Sequence, residues 1–178
     1  MLDTPPIPKP EKEHPIWREI RLNDIEDTKK ILTLGTESVR GEGVQPDWFP
    51  DQEQLQKTQY RGLMLERRGE ALGAIWLAAS GLDSLYPTAT MPIYFAFIRP
   101  SEFTENLRSS TITVIHDYAS KSGFKNIGWF AALRDMETLT GIHPENETGI
   151  VSVPIDSFNT EGFRKMQQTP QTQSKSPN

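Results

Sequence analysis

The sequence predicts one mixed α/β domain on a single mixed (α+β) sheet, with the element order β-α-α-β-β-β-α-β-α-β. Three observations carry this expectation. Runs with helical spacing, Ile25–Leu34 and Leu107–Ala119, alternate along the chain with short apolar strands. Ala71–Ala79 is apolar on both faces, the mark of a central strand. The length, 178 residues, is that of one ordinary domain.

The first expected strand is Ile16–Leu22, with Ile16, Ile20 and Leu22 on one face. Asn23 or Asp24 offers a capping oxygen, Ile25, Thr28, Ile31, Leu32 and Leu34 follow at helical spacing, and Gly35 is the expected stop. Gly41–Pro50 is rich in turn formers and contains Trp48 and Phe49, after which Gln52–Tyr60 reads as a second short helix. Gly62–Arg67 and Ala71–Ala79 flank the tight connection Arg68-Gly69-Glu70 and read as a hairpin. A loop with Tyr86 leads to a buried strand, Met91–Ile98, which Arg99-Pro100 ends. Glu102–Ser122 is the most regular segment, an amphipathic helix capped by Ser101 or Thr104 and stopped by Gly123. Phe124–Ala132 is a strand, Arg134–Leu139 a short helix with Gly141 beyond it, and Ile150–Ile155 the last strand.

The two ends differ from the middle. Residues 1–15 hold five of the fourteen prolines and read as a flexible arm. Residues 164–178 are mostly Gln, Thr, Ser and Pro, too polar to offset their ordering entropy, and read as a disordered tail. The folded domain is therefore expected over residues 16–163, with 14 basic against 21 acidic residues.

Composition narrows the function. With no cysteine, disulfide frameworks, Cys-ligated metals and thiol nucleophiles are excluded. His14, His116 and His143 have no metal-ligand spacing, so no metal site is expected. A net charge of −5 argues against nucleic-acid binding. No apolar run approaches the ~18 residues a membrane span needs, and the N-terminal residues lack the apolar core of a secretory signal. A soluble cytoplasmic protein is the expectation. No nucleophile elbow, Walker loop, dinucleotide-binding glycine signature or kinase motif is present.

The order of elements carries a resemblance. Ile20-Arg21-Leu22-Asn23-Asp24-Ile25-Glu26-Asp27, the hairpin Met64–Ile75, the strand Tyr94–Ile98 ending in Arg99-Pro100, and Asp117–Ile127 resemble, in sequence order, the GNAT superfamily of acyl-CoA-dependent N-acyltransferases. In style the chain is most similar to bacteriophage-encoded GNAT-like proteins. The resemblance implies acetyl transfer from acetyl-CoA to an amine on a small molecule or protein. It implies that the pyrophosphate of CoA sits at the start of the long helix, placing Ile98, Thr104, Asn106, Arg108, Ser109 and Ser110 at the cofactor. It implies a backbone oxyanion site near Phe97, a substrate or base role for Tyr94, and an acid at Glu137, where many members carry tyrosine.

Two departures from the family pattern stand in the sequence. Thr104–Ser110 has no glycine, and Glu105 puts a negative charge where phosphates would go. They leave open a second reading: a catalytically inactive GNAT-like structural or interaction protein, virion-associated if phage-encoded, with the two tails docking a protein partner. Single residues are open in the same way. Tyr94 reads equally as core, Glu137 and His116 as solvated helix positions, and Trp48, Phe49 and Tyr86 as acceptor-pocket lining or loop anchors.

Overall fold

The computed structural model describes residues 5–7, 13–21, 24–40, 61–77, 87–146 and 148–168. The expected helix Gln52–Tyr60, Trp48, Phe49, Tyr86, Leu22, Asn23 and residues 169–178 lie outside them. Residues 5–7 and 13–15 carry no regular secondary structure.

The chain opens with strand β1 (Ile16–Glu19) and helix α1 (Ile25–Arg40). Asp24 starts the helix, its Oδ1 accepting from the Glu26 N–H at 2.9 Å and its carbonyl from Thr28 at 3.1 Å. Gly35 does not end α1, contrary to the expectation. An internal glycine costs about 1 kcal/mol, and the buried Ile31 and Leu34 together with the Glu37–Arg99 ion pair offset that. Strands β2 (Arg61–Arg67) and β3 (Glu70–Leu77) form the expected hairpin. Its turn residues Arg68 and Gly69 both have positive φ, 51° and 78°, the two-residue geometry that matches strand twist.

Strand β4 (Thr90–Ile98) is antiparallel to β3 and leads through a 3₁₀ turn, Pro100–Glu102, into helix α2 (Glu105–Lys121). The crossover by α2 returns the chain to β5 (Asn126–Phe130), parallel to β4. Helix α3 (Arg134–Thr140) closes on Gly141 in the left-handed region, φ 71°. Strand β6 (Ile150–Pro154) pairs antiparallel with β5. Among the described residues the sheet has six strands in the order β1-β2-β3-β4-β5-β6, the mixed α/β architecture that was expected.

A fourth, unexpected helix among the described residues follows a second 3₁₀ turn, Ile155–Ser157: helix α4 (Thr160–Gln168). It moves the end of the packed chain from Phe163 to Gln168. Asn159 Oδ1 caps it by accepting from the Gly162 N–H at 2.7 Å. Phe158, just before the cap, meets Phe163 one turn on, edge to face at 5.0 Å between ring centroids, a hydrophobic staple. Met166 packs on the core, and Gln167 reaches the Thr140 carbonyl at 3.2 Å.

The sheet separates two apolar layers. On one face, α1 covers Ile20, Met64, Ala74, Trp76 and Phe97. On the other, Ile112 and Ile115 of α2, Met136 and Leu139 of α3, and Phe163 of α4 cover Ile75, Ile93, Ile127 and Trp129. Ile16, expected on the core face, is 71 % exposed because it lies at the outer end of the edge strand.

The α1 layer is pinned by one arginine. Arg18 on β1 donates to both oxygens of Asp27 on α1 (2.6 and 2.8 Å) and both oxygens of Glu66 on β2 (2.8 Å each). Lys30 also reaches Glu66 at 2.9 Å. The Arg18 hydrogen bonds, working against burial, hold the Glu66 carboxyl down at about 2. Burial pushes the Asp27 carboxyl up, but the bonds from Arg18 and from the Arg21 N–H outweigh it and the net shift is downward. Both carboxylates titrate lower folded than unfolded, so their contribution is complete above the unfolded carboxylate range. It is lost as pH falls from about 4.5 towards about 2. Chemical denaturation at stepped pH is expected to show that decline, and an Arg18→Met chain, which leaves buried Asp27 without its guanidinium and Glu66 with Lys30 alone, should be about 3 kcal/mol less stable at neutral pH.

Candidate active site

The parallel ladder between β4 and β5 is short. It pairs Thr90 with Asn126 and ends at Ile93 opposite Trp129. Beyond that point β4 continues for the five residues Tyr94–Ile98, while β5 stops at Phe130 and turns away into α3. On its other side β4 stays paired with β3, where the register skips at Tyr94: Leu77 faces Ile93 and Trp76 faces Phe95. The extra residue is a β-bulge, which bends the strand and increases its twist. The two strands therefore part, and among the described residues the β4/β5 ladder does not extend to Tyr94–Ile98.

A cleft fills the gap, with about 40 Å³ of internal volume. Ile75, Ala96, Phe97 and Ile98 form its floor, Phe103 and Thr111 one wall, and Asp135, Thr138 and Leu139 of α3 the other. The lining is mainly apolar. The Thr111 hydroxyl is already spent on the Leu107 carbonyl at 2.7 Å. Apolar walls beside β4 suit a narrow, mainly apolar ligand arm.

The loop that joins β4 to α2 is held at both ends by forked ion pairs. Arg99 grips Glu37 of α1 at 2.8 and 2.9 Å and Glu70 at 2.7 Å. Arg67 grips Glu102 at 2.8 and 2.9 Å. The hydrogen bonds they donate to Glu37 and Glu102 raise the affinity of these guanidiniums for their protons, so both stay charged. The forks position Phe103, which walls the cleft, and Thr104, which caps α2.

At the start of α2, Thr104 Oγ1 takes the Leu107 N–H at 3.1 Å and the Thr104 carbonyl takes that of Arg108 at 2.8 Å. The N–H groups of Glu105 and Asn106 belong to the first turn, which has no intrahelical acceptor for them. Asn106 and Ser109 are exposed. The Ser110 hydroxyl bonds the Leu107 carbonyl at 3.0 Å. Arg108 is committed elsewhere: its Nε donates to the Leu139 carbonyl at 2.7 Å, and a terminal nitrogen lies 3.4 Å from Glu105.

Of the residues singled out from sequence, Phe97 and Ile98 are at the cleft and Thr104–Ser110 form the helix turn beside it. Tyr94 is not in the lining: its ring packs in the α1 layer, 6.3 Å from Trp76 at 50°. Glu137 is not in it either. At 100° per residue, Asp135, Thr138 and Leu139 share the cleft side of α3 and Glu137 falls on the opposite side, where its carboxylate meets His143 Nδ1. His116 stays on the helix surface with Asp117, 3.1 Å away. Among the described residues no cluster of His, Asp and Glu could hold a metal, and no helix is long and apolar enough to cross a membrane. Sequence reasoning missed Phe103, Thr111, Asp135 and Thr138, though the last two lie three apart on a segment read as helical.

Gly73 keeps β3 and β4 close behind the cleft floor. A Cβ there would lie 2.7 Å from the Phe97 carbonyl oxygen and 3.2 Å from Ile98 Cα. A Gly73→Ala substitution should push this stretch of β4 outward and destabilise the chain by about 1–3 kcal/mol, measurable by thermal melting.

No family model and no curated protein sequence matches the chain. Solved structures do. Tetrahymena GCN5 superposes at TM-score 0.55 and 12 % identity, over 79 % of this chain and 96 % of that one. An aminoglycoside acetyltransferase from an uncultured soil metagenomic sample, in complex with sisomicin, gives 0.54 and 15 %, over 77 % and 92 %. An acetyltransferase of the GNAT family from Staphylococcus aureus Mu50 gives 0.54 and 10 %, over 79 % and 99 %. The fold of this chain is that of the GNAT acetyltransferases.

Proposed function

We propose that the chain is an N-acyltransferase that moves an acetyl group from acetyl-CoA to an amine. The observation that carries the reading is the parted pair β4/β5, with an apolar cleft between them and the start of α2 beside it. The pantetheine arm of the donor would lie in that cleft along Tyr94–Ile98. Its phosphates would face the first-turn N–H groups of α2, at the positive end of the helix dipole. Thr104, Asn106, Ser109 and Ser110 surround that turn, and Glu105 weakens its pull on anions.

The chemistry needs no covalent enzyme intermediate. The neutral amine attacks the thioester carbonyl, a backbone N–H near Phe97-Ile98 stabilises the oxyanion, and the thiolate leaves with a proton. Asp135 and Thr138 are the polar groups nearest the leaving sulfur in this reading, and Tyr94 and Glu137 stand further off. The sisomicin complex of one structural neighbour motivates polyamine acceptors as the first class to try. The glycine-free turn, Glu105 and the narrowness of the cleft favour one alternative, a GNAT fold kept as a non-catalytic interaction module.

Calorimetric and thermal-shift titration with acetyl-CoA separates the two. Saturable binding should stabilise the chain by about 2.7 kcal/mol at 100 times the dissociation constant, and thiol release on adding an amine should follow. A folded chain that ignores millimolar acetyl-CoA rules out the transferase.

A further inference from the structure

We propose that Arg108 is a gate on the cleft, closed in this structure, which must let go of α3 before an acyl donor can seat; the inference rests on the transferase reading above. The two walls of the cleft are α2, through Thr111, and α3, through Leu139. Arg108 lies one turn before Thr111 on the same stripe of α2. Its Nε–H donates to the Leu139 carbonyl at 2.7 Å, so the bond ties α2 to α3, the two helices that wall the cleft. The guanidinium is largely sheltered, its side chain 18 % exposed, while Glu105, its partner on the outer side at 3.4 Å, is 82 % exposed. With this tie in place the cleft holds about 40 Å³. That is room for roughly three waters, far below what a thioester-bearing pantetheine arm occupies.

The tie also has a purely structural use. Helix α3 ends with carbonyls that have no intrahelical donor, and side chains of other helices satisfy two of them. Arg108 bonds that of Leu139 and Gln167 of α4 bonds that of Thr140 at 3.2 Å. Of these two bonds, the one from Arg108 joins α2 to α3. The pair therefore separates a gate from a cap: removing either loosens the end of α3, but only removing Arg108 frees the opening.

The test compares the full chain with Arg108→Met and Gln167→Ala variants. Association of S-acetylpantetheine, an uncharged probe insensitive to the lost arginine charge, is followed by stopped-flow tryptophan fluorescence. Amide hydrogen exchange is read at residues 139–142. Exchange should quicken in both variants. The association rate should rise about tenfold in Arg108→Met, the worth of one hydrogen bond from a charged donor, and stay unchanged in Gln167→Ala. If Arg108→Met fails to fold, Arg108→Lys, which keeps the charge but loses the Nε–H donor, takes its place. An association rate unmoved in the Arg108 variant, or raised equally in both, reduces Arg108 to a helix cap and overturns the gate. If the wild-type chain binds neither S-acetylpantetheine nor acetyl-CoA and no variant does, the transferase reading falls and takes the gate with it. If the wild type binds acetyl-CoA and the Arg108 variant associates no faster, the gate alone fails.

Discussion

The end of the β4–β5 ladder at Ile93 and Trp129 sets the shape of everything around it. A parallel pair needs a crossover helix, so α2 must lie across the sheet face beside the ladder. One residue further, the bulge at Tyr94 turns β4 away from its partner. The cleft is what remains when two strands must begin together and finish apart. The burial of Ile93, Ile127 and Trp129 keeps the shared beginning rigid, so the opening has a fixed hinge end and a free end towards α2.

Fixed charge is distributed around this opening in a consistent way. Arg67 and Arg99 are both bound in forked pairs to carboxylates, and Arg18 holds two more carboxylates on the opposite layer. These guanidiniums fix loops and helices in place. Planar forks do this better than lysine would, because two parallel bonds fix orientation as well as distance. The result is a rigid frame around a turn, Thr104–Ser110, whose own charges nearly cancel. Attraction of anions there is left to backbone N–H groups.

The strand and helix order was legible because burial leaves period-two and helical patterns in the chain. Val114, Ile115 and Ala119 disclose α2, and Ala71–Leu77 discloses a central strand. What failed had a physical cause each time. Gly35 looked like a stop because its cost is local, whereas the contacts that outweigh it lie in Ile31, Leu34 and the distant Arg99. Helix α4 hid in polar composition: its apolar contribution is Phe163 and Met166, and its start is signalled by Phe158 and Asn159. Glu137 came from alignment to a family pattern, with a solvated helix position as its other reading, and the phase of the two-turn helix puts Asp135 and Thr138 on the cleft side. Arg108 was visible as a cation near a helix start. No pattern in one dimension shows that its donor is taken by a carbonyl thirty-one residues away.

The six strands lie side by side in the order in which they occur along the chain. No strand has to slip between two already joined. A chain emerging from the ribosome can therefore lengthen its sheet at one edge only, each new strand finding the previous one waiting. Such vectorial growth spares the nascent protein the step in which a finished pair must reopen. It also leaves the cleft between β4 and β5 for late in synthesis, since both of its walls and the strand that turns away come from the second half of the chain.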